Sequence, residues 1–225
     1  QLSGVLHDGQ VLVDADKDAV VRLVLNNLTL QSAESTPLQV LSADKVILIL
    51  ADDSENTITD ARPALTGDGG DIAADDLSDS DEDEETQDNA DEINAAIYSK
   101  EDLTITGSGH LTVVTTFRHG INCKDDLVIS GGTLSVQASG DGVRGRDSVV
   151  IQNADLKIDA GEDGIRSSNT DTADKGYIVI ESGSIDITAG RDGIQAASQL
   201  IVNGGTIVVS AGGGSATVSH STAGA

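Results

Sequence analysis

An all-β chain wound as a right-handed parallel β-helix, a three-strand solenoid of roughly eight coils, is the fold this sequence predicts. The first observation is a repeat. Units open at Ala96, Gly120, Gly142, Gly164 and Gly193, at intervals of 24, 22, 22 and 29 residues, a period at which each unit covers its neighbour. The second is that apolar residues alternate with polar ones in three short groups per unit, the two-residue period of strands. The third is alignment. Leu127 and Ile129, Leu134 and Val136, then Val143 are matched by Val149 and Ile151, Leu156 and Ile158, then Ile165, and again by Ile178 and Ile180, Ile185 and Ile187, then Ile194. Wound in register, they stack as columns. A β-sandwich accounts for the alternation and does not by itself require such columns.

Taken in order, the first sixty residues carry the same coil type at looser spacing. Residues 2–6, 11–13, 20–24, 28–30, 38–40, 46–50 and 57–59 read as short strands separated mostly by Asp, Gly, Asn and Ser turns. Leu38 followed by Ala43-Asp44-Lys45-Val46 parallels Ile97 followed by Lys100-Glu101-Asp102-Leu103, so the coils start before the clean repeats. From 68 to 93 the character changes: residues 68–92 hold 13 carboxylates and no lysine or arginine. The repeat resumes afterwards, so this is an insertion between coils, read either as a solvated acidic loop or as one ordered by divalent cations. Its Asp79, Asp81 and Asp83 lack the glycine and flanking helices of an EF-hand. Turns within the repeats are expected at 107–109, 131–132, 153–154, 182–183 and 204–205. A shorter insertion, 168–174, lengthens the fourth unit, and 212–225 is a Gly/Ser-rich tail. One domain spans 1–225.

Composition narrows the partners. Thirteen basic against 38 acidic residues, a net charge of -25, speaks against nucleic acid. No apolar run approaches a membrane span, and the chain is expected to be a monomer that does not insert into a membrane. The single cysteine, Cys123, aligns with Ser99, Gly145 and Ser167 and is expected to fill an interior position that admits only small side chains. The chain opens at Gln1 without a leader-like segment, which says nothing against secretion; an extracellular or cell-surface location is expected. Three aromatic residues are few for a protein that stacks on sugars, which shifts any sugar site toward ions and polar groups.

Asp141-Gly142, Asp163-Gly164 and Asp192-Gly193 share one repeat position, with His119-Gly120 above them. Carboxylates stacked about 4.8 Å apart repel unless a cation intervenes, and Ca²⁺ takes carboxylate oxygens at about 2.3–2.6 Å. Asp141, Asp163 and Asp192 are therefore the leading metal candidates, several ions being expected, with Asp125, Asp126, Asp147 and Glu162 completing the shell. Asp171 and Asp174 of the short insertion are further oxygen donors. The competing reading makes Asp-Gly a turn pair in which Asp caps its own backbone. Beside this column run Asn122, Arg144, Arg166 and Gln195, expected to face solvent; with His119 they are the candidate ligand-binding residues, the two guanidiniums suited to carboxylates of an acidic polymer. A third column, Lys100, Lys124, Arg146 and Lys175, which Lys45 is expected to extend, neutralises acidic neighbours along the coil edge. No G-x-S-x-G or H-E-x-x-H signature is present. A β-eliminating lyase needs less, a cation on a uronate carboxylate and a base, for which Arg166 and then Arg144 stand as candidates.

The segments NAAIYSKEDLTITGSGHLTV, HGINCKDDLVISGGTLSV, DGVRGRDSVVIQNADLKI and DGIQAASQLIVNGGTIVV resemble the calcium-binding, carbohydrate-binding β-helix domains of bacterial secreted and surface proteins, which are similar in structure to pectate lyases. The resemblance covers most of the chain. It implies a secreted Ca²⁺ protein that binds acidic, pectin-like or cellulosic polysaccharides. Departures are His119 where the family has Asp before Gly120, Ser168 in place of the column lysine, and an acidic stretch longer than usual. Three readings follow: a noncatalytic calcium-dependent polysaccharide binder first, then a pectate-type lyase, then a calcium-stapled structural or adhesion module.

Overall fold

The computed structural model describes residues 1–64 and 93–212. The acidic insertion, apart from Ile93, and the tail from residue 213 lie outside them. Among the described residues every element is a β-strand and every pairing is parallel. A partial coil, β1 (Leu2–Leu6), precedes the first full one, β2 (Val11–Asp14) and the long β3 (Val20–Ser32). The second coil is β4 (Leu38–Ser42), β5 (Lys45–Leu50) and β6 (Glu55–Asp60); the third is β7 (Ala95–Ser99) and β8 (Asp102–Thr115); the fourth is β9 (His119–Cys123) and β10 (Asp126–Ala138). The fifth is β11 (Val143–Gly145), β12 (Ser148–Ile151) and β13 (Ala154–Ala160). The sixth, β14 (Ile165–Ser167), β15 (Tyr177–Ile180) and β16 (Gly183–Ala189), contains the short insertion. The last is β17 (Ile194–Gln195), β18 (Gln199–Val202) and β19 (Thr206–Ala211).

Stacking these coils gives the three faces of a parallel β-helix. Sheet 1 is seven-stranded, β2-β4-β7-β9-β11-β14-β17. Sheet 2 runs β1-β3-β5-β8-β10-β12-β15-β18, and sheet 3 stacks β6, β13, β16 and β19 with the later halves of β3, β8 and β10, which bend through both sheets. The predicted columns are in register: Leu127 with Val149 and Ile178 with Leu200 on sheet 2, Leu134 with Leu156 and Ile185 on sheet 3, Val143 with Ile121 and Ile165 on sheet 1. Leu38 pairs with Ile97 and Val46 with Leu103, as the early repeat required. Each such side chain, once buried, contributes about 1.5–3 kcal/mol. Lys45 is the exception to its predicted column: it pairs with Asp102, two positions beyond Lys100, and makes an ion pair with that carboxylate at 3.1 Å.

The turns between sheets 2 and 3 follow one rule. Each full coil places a left-handed residue there: Asn27, Asp53, Gly107, Gly131 with Gly132, Asn153, Gly183 and Gly205. Only glycine, asparagine and aspartate tolerate this conformation cheaply. Between sheets 1 and 2 the predicted small-residue column also holds, Ser99, Cys123, Gly145 and Ser167 lying in register. Ser99 Oγ donates to Glu101 O at 2.6 Å and Ser167 Oγ to Gly176 O at 2.7 Å, while the buried Cys123 Sγ lies 3.3 Å from Glu101 O. Burial pushes the Cys123 thiol up to about 12. A thiol-specific chromogenic reagent is therefore expected to leave Cys123 unmodified in the native protein and to react at once in denaturant; native-state reaction at the rate of a free thiol would place the side chain outside the core.

The insertion site between β6 and β7 is closed by one side chain. Arg62 donates from Nε and Nη2 to both oxygens of Asp60 (2.9 and 2.7 Å), from Nη1 to Ile93 O (3.0 Å), and from Nη2 to Thr36 Oγ1 (3.0 Å). Its guanidinium lies 3.8 Å from the centre of the Phe117 ring. The Asp60 side chain is wholly buried. The pair thus ties the chain before the insertion to the chain after it.

Candidate functional site at the Asp-Gly corner

The corner from sheet 3 into sheet 1 carries the Asp-Gly motif, and the glycine is there for space. None of Gly120, Gly142, Gly164 and Gly193 has a positive φ. A Cβ on Gly142 would sit 2.4 Å from Ile158 Cγ2 and 2.8 Å from Gly164 O; on Gly164, 2.4 Å from Ile187 Cγ2 and 2.5 Å from Gly193 O. The absent side chain lets successive coils close at this corner.

The aspartates then bond from coil to coil. Asp163 N donates to Asp141 Oδ1 at 3.0 Å, Asp192 N to Asp163 Oδ1 at 2.9 Å, and Asp141 N to His119 Nδ1 at 2.9 Å. Each side chain caps the next coil's main chain and not its own. Asp141 and Asp163 are consequently buried while Asp192, at the end of the column, is exposed. Burial raises the carboxyls of Asp141 and Asp163 above their ordinary range, opposed at Asp141 by Arg144 and at Asp163 by the Asp192 amide. Burial, reinforced by Arg144, Arg118 and Arg166, holds His119 well below its usual value, so the imidazole is neutral. A neutral imidazole has one acceptor nitrogen. The bond from the buried Asp141 amide and the 3.1 Å contact of Arg118 Nε with His119 Nε2 therefore exclude one another. The amide bond prevails, because a buried main-chain donor has no other partner.

That assignment strands one atom. Asp141 Oδ2 is buried, has no hydrogen-bond partner, and lies 3.5 Å from the Nδ1 lone pair of His119. A ligand atom from each of His119, Asp141 and Glu162 lies within 4.8 Å of the others. An orphaned carboxylate oxygen facing a second carboxylate and a neutral imidazole fits a cation.

Asp125, Asp126 and Asp147 do not join this group. They occupy the opposite end of the sheet 1 strands, where the chain turns into sheet 2. Asp102, Asp125 and Asp126 form a second acidic trio within 4.8 Å. Asp147 is buried there with Lys175 against it and Asn169 Nδ2 at 2.6 Å. Burial and a hydrogen bond with Asp147 push Asp125 up to about 6. Asp147 itself is lowered, since the bonds from Lys175, Asn169 and Asp125 outweigh its desolvation. Asn169 organises the short insertion by accepting from the Asp171 and Thr172 amides, while Asp171 stands 3.7 Å from Arg146 and Asp174 is exposed with a left-handed backbone.

Between the two corners, Asn122, Arg144, Arg166 and Gln195 stack in register on the outer side of sheet 1. Arg144 and Arg166 are half-buried and Gln195 exposed; Arg166 Nη1 lies 3.7 Å from Asp163 Oδ2. Asn122 differs from its expected solvent-facing position: it is buried, bonded through Nδ2 to Asn94 Oδ1 at 2.9 Å. Asp102 was missed by sequence reasoning, although it holds the same place before Leu103 that Asp126 holds before Leu127. The bond of Asn169 to Asp147 joins residues 22 apart and is set by the stacking of coils.

Three similarities bear on this site. A family model described as carbohydrate-binding domain-containing protein matches residues 1–225. A protein of Acetivibrio thermocellus with that same description is 39% identical over 136 residues, which cover 60% of this chain and 41% of the relative. The matched region is thus less than half of that relative's length. The solved structure of a polysaccharide lyase-like protein from C. thermocellum, a gadolinium derivative, superposes with a TM-score of 0.71 at 33% identity, covering 93% of this chain and 80% of the other.

Proposed function

The chain belongs to the family of carbohydrate-binding domain-containing proteins, and from that premise we propose that it is an extracellular, noncatalytic module that holds Ca²⁺ at the Asp-Gly corner and binds an acidic, pectin-like polysaccharide across sheet 1. The observation that carries this reading is Asp141 Oδ2, a buried carboxylate oxygen without a partner beside Glu162. Ca²⁺ is a hard cation that takes such oxygens, and the similar solved structure is a derivative of gadolinium, another hard, oxygen-seeking cation. Asp141 and Glu162 would hold the ion, with Asp102, Asp125 and Asp126 a second candidate set. Arg144 and Arg166, in register beside the first set, supply charged donors for uronate carboxylates. Arg166 lies beside the Asp163 carboxylate, and an arginine keeps its proton in proteins, so it serves as an anion contact here and not as the base of a lyase.

Polygalacturonate is expected to be retained with calcium, released by chelator, and left without unsaturated ends absorbing in the near ultraviolet. Appearance of such ends would move the chain to the lyases. The cation has its own test. Asp141→Asn keeps Oδ1 as an acceptor for the Asp163 amide and replaces the orphaned carboxylate oxygen by a neutral amide group, beside a His119 Nδ1 already engaged by the Asp141 amide. The metal-free variant exchanges a desolvated carboxylate for a neutral amide and is expected to melt at or above the metal-free parent. It should also lose the rise in melting temperature that calcium gives the parent, about 2.7 kcal/mol at a hundredfold excess over Kd. A parent that melts at the same temperature with and without calcium would remove the ion from this corner.

A further inference from the structure

A glycine after asparagine or aspartate leaves its main-chain nitrogen unshielded by a side chain, and that nitrogen can attack the side-chain carbonyl of the residue before it. Among the described residues five dipeptides have this form: Asp8-Gly9, Asp141-Gly142, Asp163-Gly164, Asp192-Gly193 and Asn203-Gly204. The fold divides them by what holds the two reacting groups. Gly9 N donates to Gln31 O at 2.8 Å, and Asp8 Oδ1 accepts from Ala33 N at 3.0 Å. Gly142 N donates to Asp163 O and Gly164 N to Asp192 O, both at 2.9 Å, while Asp141 Oδ1 and Asp163 Oδ1 accept amides of the next coil. In these three the glycine amide points at a neighbouring coil and the carboxylate is bonded elsewhere, so neither turns to the other. Exposure is not the divider, since Asp8 is exposed and still held on both counts. The last coil differs. Among the described residues it stacks on the sixth coil alone, and no acceptor meets Gly193 N or Gly204 N. Asp192 and Asn203 are exposed; no donor reaches the Asp192 carboxylate, and the Asn203 side chain is tethered only through Nδ2 to the exposed Glu181, at 2.9 Å from Oε2. A Cβ on Gly204 would meet only Glu181 O, at 3.0 Å, so this turn has room to move.

We propose that the last coil is a site of spontaneous covalent modification, in which Asn203-Gly204 and, more slowly, Asp192-Gly193 close to succinimides and reopen as isoaspartate. At Asn203 the Gly204 nitrogen bonds to Cγ, the bond from Cγ to Nδ2 breaks, and ammonia leaves with the proton that Gly204 N gives up. At Asp192 the Gly193 nitrogen bonds to Cγ, and one carboxyl oxygen leaves as water with that nitrogen's proton and the carboxyl proton. A water molecule then opens either ring. Cleavage at the side-chain carbonyl leaves aspartate; cleavage at the main-chain carbonyl leaves isoaspartate, whose main chain runs through Cβ and is one carbon longer. The Asn203 product carries one more negative charge than the parent, whereas the Asp192 product has the parent's mass and charge. Both loosen the last coil. At 203 a carboxylate replaces the donor to Glu181 and faces a like charge. At 192 the longer main chain displaces the two carbonyls, Asp192 O and Gly193 O, that accept Gly164 N at 2.9 Å and Ile165 N at 3.0 Å from the sixth coil.

The test ages the full chain in warm neutral buffer with chelator, folded and in denaturant, and locates isoaspartate by peptide mapping. Methyl transfer from S-adenosylmethionine by an isoaspartyl carboxyl methyltransferase gives an independent count. In denaturant each dipeptide reacts at the rate its own two residues set. In the folded protein residues 8, 141 and 163 react only after local opening, so their rates should fall by about tenfold or more. Asn203 and Asp192 should stay close to their denatured rates, and an acidic form of the whole protein should appear as Asn203 converts. Asn203→Gln, which cannot close the five-membered ring, should stop that acidic form while isoaspartate still accumulates at 192. Slowing at Asn203 or at Asp192 equal to that at Asp141 and Asp163, whether large or none, overturns the proposal. An acidic form that arises at the parent's rate in Asn203→Gln overturns it as well, since the reacting residue then lies elsewhere.

Discussion

Arg62→Ala is expected to lower folding stability by about 3–5 kcal/mol, the usual consequence of stranding one member of a buried ion pair. The Asp60 side chain has no exposure and receives two donors from Arg62, and the same guanidinium satisfies Ile93 O and Thr36 Oγ1. Truncation leaves a desolvated carboxylate and an unpaired carbonyl at the root of the insertion, and uncovers the face of Phe117. Urea denaturation should show a lower midpoint with an unchanged slope. Replacing both members, as Asp60→Leu with Arg62→Met, should recover a large part of the loss, since no ion then remains in the interior. A single variant within 0.5 kcal/mol of the parent, the scale of an ordinary surface substitution, would show that water reaches Asp60 and that the pair is no staple.

Gly107→Ala should destabilise nearly as much, for a different reason. Gly107 has φ +111, and an added Cβ would sit 2.1 Å from Leu50 O. Left-handed strain costs a residue with a side chain about 1–2 kcal/mol and overpacking a further 1–3 kcal/mol or so. Because the clash is with main chain on the neighbouring coil, it cannot be relieved by a rotamer change. Gly4→Ala is the control: its φ is also positive, +90, but nothing lies within 4 Å of the added Cβ. It should lose only the backbone part. Equal losses in the two variants would mean that the spacing of coils at Gly107 relaxes freely.

The fold was legible because a solenoid writes its contacts into its period. Leu127, Val149 and Ile178 occupy one column at intervals of 22 and 29 residues, the longer one holding the short insertion, so alignment of the repeats amounts to a statement of register. Cys123 followed from the same alignment. The site was legible in residue type and less so in direction. Asp-Gly marked the corner, but whether Asp141 caps its own turn or the amide of Asp163 depends on how close the coils approach, which Ile158 and Gly164 decide. The orphaned oxygen of Asp141 depends in turn on the proton state of His119, a product of burial. Asn122 carries no local signal of being covered, because its partner Asn94 is 28 residues away. Arg62 gave no signal at all, since its acceptors lie on both sides of an insertion.

That clasp has a consequence for what the chain can carry. With Arg62 holding Asp60 on one side and Ile93 on the other, the coils beyond the junction do not depend on the length of what joins its two ends. Closing a loop between fixed ends grows harder only logarithmically, by about 0.6 kcal/mol for each doubling of length. The junction between β6 and β7 is therefore a socket. Segments of very different size or composition, including a foreign folded domain, can be spliced there while the helix on either side keeps its winding, and the rest of the molecule serves as their handle.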